Sequence, residues 1–271
     1  MLNDDAFRIL LGYLDRPWAG FRKVRKGAKK RIRLHMEELG CTTLEAYLQL
    51  MDCRPDARAD CEQYLLVTIS RFFRDQQLWL ALRDRLLPDL IRRFQPPVRI
   101  WSAGCACGEE PYSLAMVWNF LHQPPPLELL ATDADVQCLE RARIGRYGRS
   151  SLKEVPEDLR KRFFDPKRGG KQFQIKSHLA ATIEWRQHQL LGPPPRGPFH
   201  AILLRNNLLT YHQGRQLLTA FERILVALAP GGYLVVGSHE RLPVSAFPLE
   251  RDAHCPWVYR LIPTESQSAG K

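Results

Sequence analysis

The chain has 271 residues, of which 45% are hydrophobic and 25% charged, and its formal net charge is +11. These proportions are ordinary for a globular protein, and the length allows one large domain or two smaller ones. No apolar run approaches the roughly 20 residues of a membrane-spanning helix, and the opening MLNDDAFRILLGYL lacks a basic leader. We therefore expect no signal peptide, no membrane insertion and a cytoplasmic location.

The first 95 residues have the period of amphipathic helices. Apolar residues recur at helical spacing in DAFRILLGYL, RIRLHMEELG and LEAYLQLMD. Gly40 is placed to end one helix, and Thr42 or Thr43 to cap the next. RDQQLWLALRDRLLPDLIRRF predicts a further long helix that ends at QPP. We predict a small helical domain over residues 1–80, followed by a second domain over 81–271.

A basic segment, FRKVRKGAKKRIR, runs from Phe21 to Arg33 without any acidic residue. Such a face suits an anionic partner, which can be nucleic acid, an acidic lipid surface or an acidic protein. The other interpretation is a solvated helix face, and it is the better one for any single lysine of the segment.

After Pro97 strands alternate with helices. VRIWSAG, LELLATD, FHAILLRN and PGGYLVVGS predict strands, and EPYSLAMVWNFLHQ, VQCLERARIGRYG and GRQLLTAFERILVAL predict helices. This alternation is typical of an α/β fold with a parallel sheet covered on both faces. KQFQIK and ATIEWRQ, inside an insert over about 156–191, predict a small antiparallel β-subdomain. CPWVYRLI predicts a last strand, and 264–271 a disordered tail.

The seven cysteines are scattered without a CxxC pair. An odd, unpaired set argues against a secreted disulfide framework and against a structural zinc site. Cys105 and Cys107 form only a CxC pair, which is weak evidence for metal or redox chemistry. We expect reduced thiols and no bound metal.

The turn after the first strand, GCACGEEP, combines glycines with two carboxylates. Open parallel sheets bind ligands outside the carboxyl ends of their strands. In this chain the first predicted strand ends at Gly104 and the second at Asp133. Glu109 and Glu110 would repel a pyrophosphate at this helix start but attract a cation. We interpret Glu110 as a complement to the helix dipole. Glu109 can bind the ammonium of S-adenosyl-L-methionine, and Asp133 the two hydroxyls of its ribose.

At this point four runs resemble one family. WSAGCACGEEPYSLAM, ATDADVQCLERARIGRYG, LLRNNLLTYH and PGGYLVVGSHERL are similar to the chemotaxis receptor methyltransferases, and TISRFFRD resembles the motif ahead of their catalytic domain. The resemblance implies a Rossmann-like S-adenosylmethionine-dependent methyltransferase domain with a small antiparallel β-subdomain, preceded by a small all-α N-terminal domain. It also implies S-adenosyl-L-homocysteine as product and glutamates of an acidic, helical chemoreceptor domain as acceptors.

The resemblance further implies individual site residues. Arg74 of the FFR motif would lie at the reacting centre, with Tyr211 as a second catalytic residue. The implied cofactor-binding residues are Thr68, Ser70, Arg74, Gly104, Glu109, Asp133, Gln189, Leu190, Arg205 and Asn206. The basic helix of the family faces the receptor, which implies partner contacts from Arg25, Lys29, Arg31 and His35.

Several positions depart from the family pattern. Thr210 aligns with the expected tyrosine, and Tyr211 lies one place further on. Gln189 replaces an asparagine, His200 replaces an aspartate, and the late glycine-histidine-serine-glutamate pattern is rearranged to GSHE at 237–240.

Three functions therefore remain open, and the third of them is the least favoured. Intact Arg74, Glu109 and Asp133 favour an active protein-glutamate methyltransferase, whereas the altered Thr210 region favours a regulatory module that binds the cofactor without transfer. A nucleic-acid methyltransferase draws only on the basic charge and lacks the acidic-proline-aromatic loop that attack by a base nitrogen would need. We expect no nucleic-acid partner.

Overall fold

The computed structural model describes residues 2–263, which form two compact units. The first unit consists of the chain up to Val67 and the segment Asn207–Leu217, and the second of Thr68–Asn206 and the chain from Leu218 on. Residues 68–80, which the sequence assigns to the helical domain, belong to the second unit because Phe72 and Trp79 are buried in its core. The predicted disordered tail, 264–271, lies outside the described residues.

The first unit is helical. Its helices are α1 (Asp4–Tyr13), α2 (Trp18–Phe21), α3 (Arg25–Glu38), α4 (Leu44–Cys53), α5 (Pro55–Tyr64) and α12 (Leu208–Tyr211). The apolar sides of these helices meet in a core that includes Phe7, Ile32 and Tyr47. The predicted boundaries are confirmed: Gly40 takes a φ of +70° after α3, and the hydroxyl of Thr43 accepts a hydrogen bond from the Ala46 amide at the start of α4.

The second unit is an α/β domain. Its helices are α6 (Gln76–Ala81), α7 (Leu87–Arg93), α8 (Glu109–Trp118), α9 (Val136–Ile144), α10 (Glu157–Phe163) and α11 (Ser177–Ala180). A further helix, α13 (Gly214–Val226), begins in the segment Asn207–Leu217 and belongs to the second unit from Leu218 on. Its strands are β1 (Val98–Ala103), β2 (Leu127–Asp133), β3 (Arg146–Gly148), β4 (Phe164–Lys167), β5 (Gln172–Ile175), β6 (Ile183–Gln187), β7 (Phe199–Leu204), β8 (Leu228–Val236), β9 (Leu249–Arg251) and β10 (Val258–Leu261).

Seven strands build the main sheet in the order β6-β2-β1-β7-β8-β10-β9. The first five are parallel to one another, and β10 runs antiparallel to both β8 and β9. Because the chain winds outward from β1 in one direction and from β7 in the other, the winding reverses between these two strands. This is the position at which doubly wound sheets bind ligands.

The small antiparallel sheet exists, but its strands differ from those predicted. Its order is β3-β5-β4, so that KQFQIK contributes β5. The ATIEWRQ run instead forms β6, which pairs in parallel with β2 at the edge of the main sheet. Side-chain alternation marks both runs as strands, but it carries no information on the strand with which each one pairs.

The long helix predicted over residues 74–94 is interrupted. A π-helical segment, Leu82–Leu86, separates α6 from α7. Pro88 lies in the first turn of α7, where its missing N–H and its ring oppose an ordinary helical hydrogen bond. The wider π turn accommodates this proline, so that α6, the π-helical segment and α7 follow one another without a break.

Candidate functional site

The candidate site lies at the carboxyl edge of the main sheet in the second unit. The turn after β1 is tied to the neighbouring strand, because the amides of Gly104 and Cys105 both donate to the Thr132 carbonyl at 2.8 Å. Gly108, with a φ of +92°, ends this turn. A Cβ there would lie 2.8 Å from atoms of both Ala142 and Trp185, so only glycine allows α8 to begin at this point.

Glu109 is the first residue of α8 and is 5% exposed. Burial raises the pKa of its carboxyl group, against the opposing effect of hydrogen bonds with Ser70 and Ser151. Its Oε2 atom is buried and has no hydrogen-bond partner among the described residues. A buried acceptor of this kind is costly unless a donor or cation satisfies it. The ammonium group of S-adenosyl-L-methionine therefore fits this position.

Asp133 ends β2 and has a structural role as well as free acceptor capacity. Its Oδ2 atom accepts the amide of Ala106 at 2.8 Å, and its Oδ1 atom accepts the amide of Asp135 at 2.9 Å. Burial raises the pKa of Asp133, and these backbone donors oppose the rise. Each carboxylate oxygen has a second lone pair. Asp133 can thus hold the glycine turn and still accept hydrogen bonds from ribose hydroxyls.

A buried ionic network connects the end of β7 with the start of α8 and the residue before α6. Arg205 donates from Nη1 to Glu110 Oε2 at 2.8 Å and from Nη2 to Asp75 Oδ2 at 2.7 Å. Ser102 Oγ donates to the other oxygen of Glu110 at 2.7 Å. Glu110 is therefore the counter-ion of a buried arginine, and the dipole interpretation is incomplete. Each Nη group of Arg205 thus donates to one carboxylate, and its Nε is buried without a partner among the described residues, so the cofactor contact assigned to Arg205 stays a prediction.

Arg74 lies in a constrained stretch before α6. Its neighbours Phe73 and Asp75 have φ values of +53° and +64°, a left-handed conformation that residues other than glycine rarely adopt. The Arg74 carbonyl accepts hydrogen bonds from Trp79 Nε1 at 2.8 Å and from Arg205 Nη2 at 3.3 Å. The backbone at Arg74 is thus fixed on both sides, while its side chain is partly exposed.

Other predicted cofactor residues follow the ends of β6 and β7. The amide of His188 donates to the Asp133 carbonyl at 2.9 Å, so Gln189 and Leu190 leave the sheet beside the end of β2. Gln189 is exposed and Leu190 is half-buried. The remaining predicted residue of the second unit, Thr68, begins that unit and is half-buried.

Asn206 follows β7 and has a φ of +56°. Its amide donates to Glu240 Oε2 at 2.8 Å, and the Gly237 amide donates to the same oxygen at 2.6 Å. A Cβ at Gly237 would lie 2.8 Å from Asn206 Oδ1, so this pair of loops requires glycine there. The rearranged GSHE run therefore supplies a carboxylate that holds Asn206, a role that sequence reasoning missed.

Tyr211, the second predicted catalytic residue, belongs to the first unit. The centroid of its ring lies 5.1 Å from the ring centroid of Phe21, which belongs to the same unit. Its neighbour Thr210 approaches α2 so closely that a Cβ at Gly20 would lie 2.2 Å from the Thr210 carbonyl oxygen. The catalytic assignment of Tyr211 stays a prediction.

Two of the four predicted partner-binding residues are directed inward. Arg31 donates from Nε to the Tyr64 carbonyl at 2.8 Å and from Nη2 to the Leu66 carbonyl at 3.1 Å. His35 is buried, with its Nδ1 atom 2.7 Å from the Tyr47 hydroxyl oxygen. Burial lowers the pKa of His35. Its assignment to a partner-facing surface is therefore corrected to a core position of the first unit.

The other two, Arg25 and Lys29, both pair with Asp4 at 3.0 and 2.5 Å. The exposed basic residues of this region that show no ion pair within the described part of the chain form what we call the basic patch. It consists of Arg22, Lys23, Lys26 and Lys30.

His200, which replaces the aspartate of the family pattern, has structural partners. Its ring stacks on Phe94 with centroids 4.2 Å apart, and its Nδ1 atom accepts the amide of Arg99 at 3.1 Å. Burial lowers the pKa of His200, which keeps the ring neutral and able to accept. This departure is thus accommodated by the packing around β1 and β7.

Within residues 2–263 no group of three or more histidine, cysteine, aspartate or glutamate side chains is arranged to hold a metal ion. Over the same range no helix is both long and apolar enough to cross a bilayer. All seven cysteines are free, and the sulfur atoms of Cys107 and Cys138 lie 3.2 Å apart.

Comparison with known proteins agrees with this geometry. Residues 68–255 match the family model described as CheR methyltransferase, SAM binding domain. A probable chemotaxis protein methyltransferase of Rhizobium etli is 32% identical over 224 residues, which cover 78% of this chain and 82% of the relative. A chemotaxis protein methyltransferase of Listeria monocytogenes is 34% identical and covers 66% of this chain and 67% of its own length. Chemotaxis protein methyltransferase 2 of Pseudomonas aeruginosa is 31% identical, with coverages of 77% and 75%.

Proposed function

Because the chain belongs to the CheR methyltransferase family, we propose that it transfers a methyl group to glutamate side chains of a chemoreceptor. The protein is an S-adenosyl-L-methionine-dependent methyltransferase of the chemotaxis type. The observation that carries the proposal is the buried, unpartnered Oε2 atom of Glu109 at the start of α8. It is the acceptor that the ammonium of this cofactor requires.

The chemistry suits a site without a general base. A glutamate side chain is already ionised at neutral pH, since its ordinary pKa is about 4.3. When bound, S-adenosyl-L-methionine supplies an activated methyl group on a sulfonium. A carboxylate oxygen of the acceptor forms the new bond to carbon as the carbon–sulfur bond breaks, and no proton is transferred. The rate then depends on alignment and electrostatics, and alignment can contribute about 7 to 11 kcal/mol.

Three residues of the second unit are proposed to share this work. Glu109 holds the ammonium group, and Asp133 holds the ribose and fixes the glycine turn. Arg74 carries a permanent positive charge, so it can orient a carboxylate of the acceptor or of the cofactor through paired hydrogen bonds. Tyr211 remains our proposal for a group that positions the acceptor.

The basic patch supports an acidic acceptor protein. Its four cations stand free of ion pairs in the described part of the chain, so they are available to acidic side chains of a helical receptor domain. Chemoreceptors present their methylation sites on the cytoplasmic side, and we therefore propose a cytoplasmic location.

One observation favours a second candidate, a regulatory module that binds the cofactor without transfer. Thr210 stands where the family has a tyrosine, and Tyr211 packs its ring against Phe21 in the first unit. If this packing persists, the module would retain Glu109 and Asp133 but lack the second catalytic group.

Calorimetric titration with S-adenosyl-L-methionine and with S-adenosyl-L-homocysteine tests the shared part of both candidates. Transfer of labelled methyl groups to a purified chemoreceptor cytoplasmic domain then separates them. Release of the label as methanol in base identifies an ester, and a receptor with glutamine at its methylation sites is the control. Binding without any base-labile label on the receptor would support the regulatory module, and a folded protein that binds neither ligand would contradict both.

A further inference from the structure

The backbone around Arg74 is held in an unfavourable conformation by a network that the cofactor assignment does not explain. Phe73 and Asp75 flank Arg74 with φ values of +53° and +64°. Strained conformations of this kind persist only where surrounding contacts determine them, and they concentrate at functional sites.

One anchor comes from α8. Ser113 Oγ accepts the amide of Phe73 at 3.0 Å and donates to the Glu109 carbonyl at 2.7 Å. The strained stretch is thus connected to the same turn of helix that carries the proposed ammonium ligand. Trp79 Nε1 adds a bond to the Arg74 carbonyl from within α6.

A second anchor comes from Arg205. One of its Nη groups contacts both the Arg74 carbonyl and Asp75 Oδ2, and the other contacts Glu110 Oε2. The Arg205 side chain is 3% exposed, Glu110 13% and Asp75 25%. Only a planar guanidinium presents donors in these fixed directions at once; an ammonium is a point charge that cannot span them.

We propose that Glu110, Arg205 and Asp75 form a positioning network that holds the left-handed backbone on either side of Arg74 and so aims the Arg74 side chain into the site. Arg205 acts through Arg74 and is a positioning residue. This inference rests on the proposed function, because it gives the Arg74 side chain a role at the cofactor.

A double-mutant cycle with S-adenosyl-L-homocysteine as the titrant tests the network. Arg74→Ala and Arg205→Lys are each expected to weaken binding by about tenfold, the scale of a charge-assisted hydrogen bond. If Arg205 acts through Arg74, the double variant binds within about twofold of Arg74→Ala, because coupled residues are not additive. If Arg205 instead acts independently of Arg74, the two factors of lost affinity will multiply in the double variant.

Two further variants keep the test interpretable. Arg85 also makes a bidentate pair, with Asp252 at 2.6 and 2.7 Å, so Arg85→Lys is a matched control that should leave the affinity unchanged. Asp75→Asn replaces Arg205→Lys in the cycle if the latter fails to fold, and the same lack of additivity is expected.

The outcomes separate this proposal from the proposed function. Independent losses, or full affinity in Arg205→Lys, would overturn the positioning network alone. A loss in Arg205→Lys with no loss in Arg74→Ala would also overturn it, since the effect would not pass through Arg74. Absence of S-adenosyl-L-homocysteine binding by the unaltered protein would overturn the proposed function and the network together.

Discussion

Glu109 shows how a single residue can favour ligand binding at the expense of the unliganded fold. Its carboxyl group is buried at the start of α8, and its Oε2 atom has no partner within the described residues. The positive end of the helix dipole offsets part of this cost. Under the proposed function the ammonium of the cofactor offsets the remainder, which would link binding energy and fold stability at this residue.

Glu109→Gln should therefore stabilise the unliganded protein and weaken its binding of S-adenosyl-L-methionine. We expect a gain of about 1 to 3 kcal/mol in the free energy of unfolding at neutral pH, because a buried unpaired charge costs more than a buried neutral amide. Burial raises the pKa of Glu109 above its ordinary 4.5, so the folded state retains the proton more strongly than the unfolded state. The contribution of Glu109 to the stability of the unaltered protein thus falls as pH rises from 4.5 through the folded pKa, and the advantage of the variant should grow over that interval.

Urea unfolding at pH 4 and pH 7, together with calorimetry, measures both effects. Glu110→Gln is the matched control, because the same substitution one residue away leaves Arg205 with a weakened counter-ion and should destabilise the protein. Unchanged affinity in folded Glu109→Gln would contradict the ammonium assignment.

Asp133→Ala should weaken cofactor binding by about 1.5 to 3 kcal/mol, the scale of hydrogen bonds to a charged group. The loss should include more than the ribose contact, because the amides of Ala106 and Asp135 lose their acceptor and the glycine turn loosens. Calorimetry with S-adenosyl-L-homocysteine measures the change. Asp135→Ala is the comparison, since it removes only the cap of α9. A smaller loss in Asp133→Ala than in Asp135→Ala would argue against the ribose contact.

The sequence predicts the acids proposed to contact the cofactor better than it predicts the residues that support them. Glu109 and Asp133 follow predicted strands, and the carboxyl ends of parallel strands meet at one edge. Asp75 and Glu240 could not be recognised in this way, because their partners Arg205 and Asn206 lie 130 and 34 residues away.

At the scale of elements, α4 offers a direct test of a boundary that the sequence predicted. Thr43→Ala removes the hydroxyl that accepts the Ala46 amide and should cost about 1 kcal/mol in the free energy of unfolding of the first unit. Thr42→Ala is the matched control, since Thr42 is an exposed neighbour outside the cap. Urea unfolding followed by circular dichroism compares the two variants. An equal effect of both substitutions would contradict the cap.

Element type was predictable from local pattern, whereas pairing and interruption were not. Periodicity identified both KQFQIK and IEWRQ as strands. Their separation into different sheets depends on β2, which lies some 50 residues earlier along the chain and offers an edge to β6. Likewise, Pro88 signals a disturbed helix, but the sequence does not show that the disturbance takes the form of a π-helical segment over Leu82–Leu86.

At the scale of the whole molecule, each of the two units is formed from two separate stretches of the sequence. The segment Asn207–Leu217 leaves the end of β7 and joins the helical unit. A sequence-based boundary cannot anticipate this, because composition does not change at Asn207. The consequence is that Asn206 and Tyr211, five residues apart, belong to different units.

The excess positive charge of the chain should act on the acceptor protein and not on the cofactor. Charge reversal in the basic patch, Lys26→Glu with Lys30→Glu, should lower the rate of methyl transfer to a chemoreceptor cytoplasmic domain by about tenfold at low salt, because steering by surface charge changes association rates on this scale. Affinity for S-adenosyl-L-homocysteine should stay unchanged. The difference between variant and unaltered protein should shrink as salt rises, since the Debye length falls from about 10 Å at 0.1 M to about 3 Å at 1 M.

Lys153→Glu with Lys167→Glu changes the net charge equally on exposed residues of the second unit and is the matched control. If net charge alone governs association, both double variants will lose rate to the same degree. If the basic patch contacts the receptor, only the first will, because Lys26 and Lys30 have no ion pair among residues 2–263 whereas Arg25 and Lys29 share the single carboxylate of Asp4. A loss confined to the control variant would move the receptor-binding surface to the second unit.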